Sequence, residues 1–129
     1  MRRTASETVE KKRRARRSPR KRLGGRLPLA TEREIRHLCM GYVRRERRIL
    51  DGRLPREMLA EMKRINELID DALAETCEPE LRELIRIDLA ERRGAMYTQA
   101  YWIGETTYKH RKQAAKHALA RRFGLATRG

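Results

Sequence analysis

Apolar residues in this 129-residue chain recur at helical intervals, in stripes separated by short polar stops. Between Thr31 and Leu50, Ile35, Cys39, Tyr42 and Ile49 follow alternating four- and three-residue steps, with Glu46 in the remaining slot. That spacing lays an apolar face along one helix, widened by Leu38, Val43 and Leu50. Thr31, with Glu34 three residues on, predicts a capping box at its start, and Asp51-Gly52 predicts its stop. Pro55 sits where a first-turn proline opens the next helix, over 56–75. There Met58, Met62, Ile65, Ile69 and Ala72 repeat the same steps, with Leu59, Leu68 and Leu73 alongside. Two matched stripes predict an antiparallel helical hairpin. A self-association seam fits the stripe less well, because about two or three heptads are short for a coiled coil.

Glu78-Pro79-Glu80 predicts a third helix, with acids at its positive end. Its apolar positions are Leu81, Leu84, Ile85, Ile87 and Leu89, and Arg92-Arg93-Gly94 closes it. A short aromatic helix over about 95–102 follows, then a turn at Ile103-Gly104 and a long helix from Glu105 to Phe123. Gly124 before Leu125 predicts a Schellman stop, with glycine left-handed and leucine folding back. No segment alternates with the period of two that marks a strand, so the expected fold is all-α.

Charge divides the chain. Lys and Arg number 33 against 18 Asp and Glu, a formal net charge of +15. Residues 1–26 carry +10, residues 27–91 carry −3 and residues 92–129 carry +8. The first segment has almost no apolar content and a block of like charges at Lys11, Lys12, Arg13, Arg14, Arg16 and Arg17. Such a segment buries too little surface to offset its ordering entropy, so a disordered basic arm is expected. The expected organisation is then arm 1–26, helical hairpin 27–77 and a helix-turn-helix region 78–129.

An excess of this size favours an anionic partner, since each neutralised phosphate releases condensed counterions. A membrane surface is the poorer partner: the basic final helix lacks a Trp/Leu/Phe face to bury among lipids. No apolar run approaches the roughly 20 residues of a span. The N-terminus has no apolar core after its basic residues, unlike a signal peptide. Cys39 and Cys77 lie far apart without a CxxC pattern, which argues against a disulfide framework or zinc site and for a reducing cytoplasm. His37, His110 and His117 are scattered and there is no Gly-rich phosphate loop. Neither enzyme chemistry nor a cofactor is expected.

Candidate chemistry concentrates at the C-terminus. An aromatic knot at Met96, Tyr97, Tyr101, Trp102 and Ile103 precedes a basic helix, the order a helix-turn-helix uses to set one helix in the DNA major groove. Tyr108, Ala115, Ala118, Leu119 and Phe123 should pack against Trp102, Ile103 and the third helix. The opposite surface offers Glu105, Thr106, Lys109, His110 and Gln113 to base edges: Thr or Gln bonds bases, Lys reaches guanine acceptors and Glu accepts from cytosine. Arg92, Arg93, Lys112, Lys116 and Arg121 read as phosphate clamps, which position without reading sequence.

From Glu80 to Phe123 the chain resembles region 4 of sigma factors, and more closely the sigma-like C-terminus of the RinA/ArpU group of phage late transcription regulators. The resemblance rests on Ile103-Gly104-Glu105-Thr106-Thr107-Tyr108 with Ala115 two turns on. It covers about a third of the chain, and Gly104 stands where the group usually has a serine. It implies a small helical regulator of phage or prophage late genes, acting on double-stranded DNA at the host nucleoid with RNA polymerase as a second partner. The hairpin would then be a platform for polymerase or for a homo-oligomer. Two rivals remain from the sequence. One is a phage small terminase-like packaging protein, disfavoured because its reader usually precedes its oligomerising segment. The other is an RNA-binding antitermination factor using the arm, whose arginine run resembles antiterminator peptides; Ser18-Pro19-Arg20-Lys21 also resembles minor-groove motifs of DNA-packing proteins.

Overall fold

The computed structural model describes residues 25–91 and 99–128. Within them are five helices: α1 (Leu29–Met40), α2 (Tyr42–Asp51), α3 (Arg56–Thr76), α4 (Pro79–Glu91) and α5 (Glu105–Arg122). No strand occurs among the described residues, and the all-α expectation holds. The basic arm up to Gly24 and most of the short aromatic helix lie outside them. The described end of that helix is a single tight turn at Gln99–Ala100, closed by Ile103 N donating to Ala100 O at 3.0 Å.

Several stops fall where the sequence predicts them. Gly52 takes φ +67 and ends α2, its N–H donating to Arg48 O. Pro79 is the first residue of α4, where its missing N–H costs nothing. Gly124 takes φ +67, Leu125 N donates to Ala120 O at 2.7 Å and Gly124 N to Arg121 O at 3.2 Å. These are the two bonds of a Schellman stop.

The start of α1 differs from the expectation. The helix begins at Leu29 behind Pro28, without a side-chain cap. Thr31 is buried inside the first turn, and its hydroxyl donates to Ala126 O at 2.6 Å. The threonine therefore ties the C-terminal tail to α1 instead of capping the helix.

A second difference is larger. The stripe from Thr31 to Leu50 is not one helix: the chain breaks at Gly41, between α1 and α2. Arg45 folds back over Gly41, so close that a Cβ there would meet Arg45 Nη1 at 2.5 Å. Its guanidinium donates to Leu38 O and, through Nε, to Asn66 Oδ1 at 2.6 Å. Buried Asn66 in turn donates to Tyr42 O at 3.1 Å. The bend is held by charge-assisted bonds between α2 and α3, and glycine at the crossing leaves room for them.

Beyond the bend, α1 packs chiefly on α4, and α5 chiefly on the second half of α3. One core joins them: Leu27, Ile35 and Cys39, then Ile69, Ala72, Leu73 and Cys77, then Leu81, Ile85 and Leu89, and finally Tyr108, Ala115, Ala118 and Leu119. Alanines at 72, 115 and 118 are fully buried and allow close helix approach. Burial pushes the Cys39 thiol up to about 12, as expected of an inert core cysteine. By contrast α2, joined to the first half of α3, contains no buried residue.

Candidate nucleic-acid interface

The first turns of α5 and its remainder have different surroundings. Glu105, Thr106, Lys109 and His110 are all exposed. Lys109 Nζ pairs with Glu105 Oε1 at 3.0 Å along the helix surface, one turn apart. Gly104 precedes them in extended conformation and offers no side-chain cap, so the positive end of the helix is open to solvent.

From Tyr108 onward the helix is embedded. Tyr108 is buried, and its hydroxyl donates to Asp88 Oδ2 at 2.7 Å. Burial first, and then this carboxylate, push the phenol well above its ordinary range. Asp88 itself is fully buried in α4, amid leucines and isoleucines. Its other oxygen accepts from Lys112 Nζ at 2.9 Å. A buried carboxylate is tolerable here because both oxygens are bonded, one of them to a cation. Nothing in the spacing of the third stripe singles Asp88 out; the signal lies in residues 20 and 24 positions away.

The same pairing absorbs most of the cations on α5. Lys116 pairs with Glu32 of α1 at 2.7 Å. Arg111 pairs with Glu78 at 2.9 Å, while Arg121 and Arg122 grip Glu75 from both sides at 2.8 and 2.9 Å. These guanidinium groups hold the Glu75 and Glu78 carboxyls below their ordinary range. Gln113 faces inward and donates to Gly25 O at 2.6 Å, with His117 Nε2 at 2.8 Å from the same carbonyl. The fold therefore takes in Gly25, which composition alone assigns to the arm.

The structure thus separates the sequence-derived contact residues into two groups. Glu105, Thr106, Lys109 and His110 form one exposed cluster at the head of α5. Gln113, Lys112, Lys116 and Arg121 engage α1, α3, α4 and the entry strand of chain at Gly25. Arg92 and Arg93 lie outside the described residues. Trp102 is not the buried centre of an apolar knot: it is 48% exposed and Tyr101 is 87% exposed, beside the exposed cluster. Of the knot, Ile103 packs against the core.

Among the described residues no three His, Cys, Asp or Glu gather as a metal site would require. No helix there is long and apolar enough to cross a membrane. Comparison with protein-family models, curated proteins and solved structures gives no match to the chain.

Proposed function

We propose that this chain is a sequence-dependent regulator of transcription that reads double-stranded DNA with the first two turns of α5. The observation that carries the reading is the cluster Glu105, Thr106, Lys109 and His110. It gathers donors and acceptors of the kind that distinguish base pairs in the major groove, on the exposed head of a helix whose body is fixed in the core. A rigid body matters because base readout needs side chains held within a fraction of an ångström. Tyr101 and Trp102 flank the cluster and add apolar surface suited to thymine methyl groups or sugars. On the resemblance to RinA/ArpU regulators and sigma region 4, the genes served are phage or prophage late genes, and RNA polymerase is the second partner.

Internal pairing of Lys112, Lys116 and Arg121 alters where the phosphate affinity comes from. The +10 carried by residues 1–26, with Arg92 and Arg93, is the larger reserve of positive charge. The same pairing favours, as a second reading, an RNA-binding role for the arm.

The test is selection from a random duplex pool with the full chain and with a form starting at Gly25, at near-physiological salt. An enriched motif in both forms supports the reading by α5. Lys109→Ala should then reduce the preference for that motif over random duplex by about tenfold, the range of one good base contact. Equal losses on both duplexes, or binding that vanishes with the arm and collapses with salt without any motif, would favour the RNA or nonspecific reading.

A further inference from the structure

The α2–α3 hairpin is half of a core. Tyr42 and Ile49 lie on the stripe of α2 that meets α3, and Tyr42 fixes it by donating to Asp70 Oδ1 at 2.7 Å. Val43 and Leu50, two turns apart, form a second apolar stripe that α3 does not cover: they are 44% and 86% exposed. Met58, at the start of α3, is also half-exposed. Two helices cannot enclose an apolar centre by themselves, whereas four can.

The charges around this stripe are divided between the helices. On α2, Arg44, Arg47 and Arg48 are exposed and make no ion pair among the described residues. On α3, Glu57 and Glu67 are likewise exposed and unpaired among the described residues. Beside Leu50 runs an open groove of about 350 Å³ between the helices, lined by Ile49 and Asn66 with Glu46, Lys63, Glu67 and Asp70 at its rim. One face therefore carries an apolar knob, a groove, a basic edge and an acidic edge, which is what a self-complementary two-fold contact requires.

We propose that a second copy of this chain docks on this face, and that the two hairpins close into a four-helix bundle. The charges fix the arrangement: α2 of each copy lies along α3 of the other, setting Arg44 and Arg47 opposite Glu67. Placing α2 against α2 would oppose arginine to arginine. The inference is independent of any reading of nucleic acid by α5.

Sedimentation equilibrium of the full chain, freed of nucleic acid by nuclease and checked by its absorbance ratio, tests it. The expected mass is twice 15.3 kDa. Leu50→Glu, at a position too exposed to disturb the fold, should weaken the dimer about tenfold or more, as loss of a central apolar anchor does. Its helical signal and thermal melt as a monomer serve as the control. Arg47→Glu should also weaken association, and adding Glu67→Arg to the same chain should restore it. A monomer up to about 100 µM, a range that would detect even weak self-association, overturns the proposal. So does a dimer indifferent to Leu50→Glu, or a charge exchange that fails to rescue.

Discussion

The two halves of α3 have nearly the same apolar spacing but different roles. In the second half Asn66, Ile69, Ala72 and Leu73 are buried, enclosed by α5 and its neighbours. In the first half Met58 is half-exposed, and only α2 lies alongside. A periodic stripe specifies that a helix has something to cover, but not how many neighbours will cover it. The bundle half completes itself within the chain, while the arm half leaves an apolar edge to solvent.

The sharpest way to break this contrast is to remove the same side chain from each half. Leu119→Ala, in the bundle, should cost about 3 kcal/mol through lost burial and a cavity. Leu50→Ala, in the arm, should stay within about 0.5 kcal/mol in the monomer. Chemical denaturation of the two variants measures both, and equal losses would show that the arm is enclosed as the bundle is.

A smaller effect is expected at Asp88. Asp88→Asn leaves Lys112 without its counter-charge, at a cost of about 2 kcal/mol, below the range for a fully buried pair because the lysine side chain is 25% exposed. Adding Lys112→Met should recover much of the loss. A double variant no better than the single one would mean that Asp88 acts through Tyr108 alone.

Next is the bend. Arg45→Met removes the donor to Leu38 O and Asn66 and should cost about 1 kcal/mol or slightly more. The loss should appear as faster amide exchange in α2 while α4 and α5 stay protected. Uniform deprotection would make the arm and the bundle a single cooperative unit.

Acid gives the smallest effect. The folded Glu75 and Glu78 carboxyls sit below their unfolded value of 4.5. Their contribution is therefore present in full above that value and lost as pH falls through the folded values. Both are solvent-exposed, so screening keeps the contribution small. A Glu75→Gln and Glu78→Gln double variant should melt slightly lower at pH 7, and the gap from the parent should close at pH 3. A gap that persists at pH 3 would mean that these residues stabilise by packing rather than charge.

Local features were the legible ones. The αL glycines at 52 and 124, the opening of α4 at Pro79 and the length of α5 all follow from residues within a turn or two of each other. The break at Gly41 was hidden because a lone glycine costs a helix only about 1 kcal/mol and the apolar steps run through it unchanged. Its cause is Asn66, 21 positions from Arg45. The same reason hid the commitments of Lys112, Lys116 and Arg121. Each looks like a free cation on α5 until α4, α1 and α3 bring up their carboxylates. Trp102 misled in the other direction, since its apolar bulk suggested core while its place at a surface turn exposes it.

The Arg45 strut at Gly41 also works as the fulcrum of a lever. The ten residues of α2 extend about 15 Å from it, so a tilt of about 10° at the bend moves the tip by about 3 Å. That is the width of a register step between packed helices. Whatever meets the tip of the arm, the aim of the contact is set 15 Å away, by one guanidinium, one amide and the absence of a single methyl group.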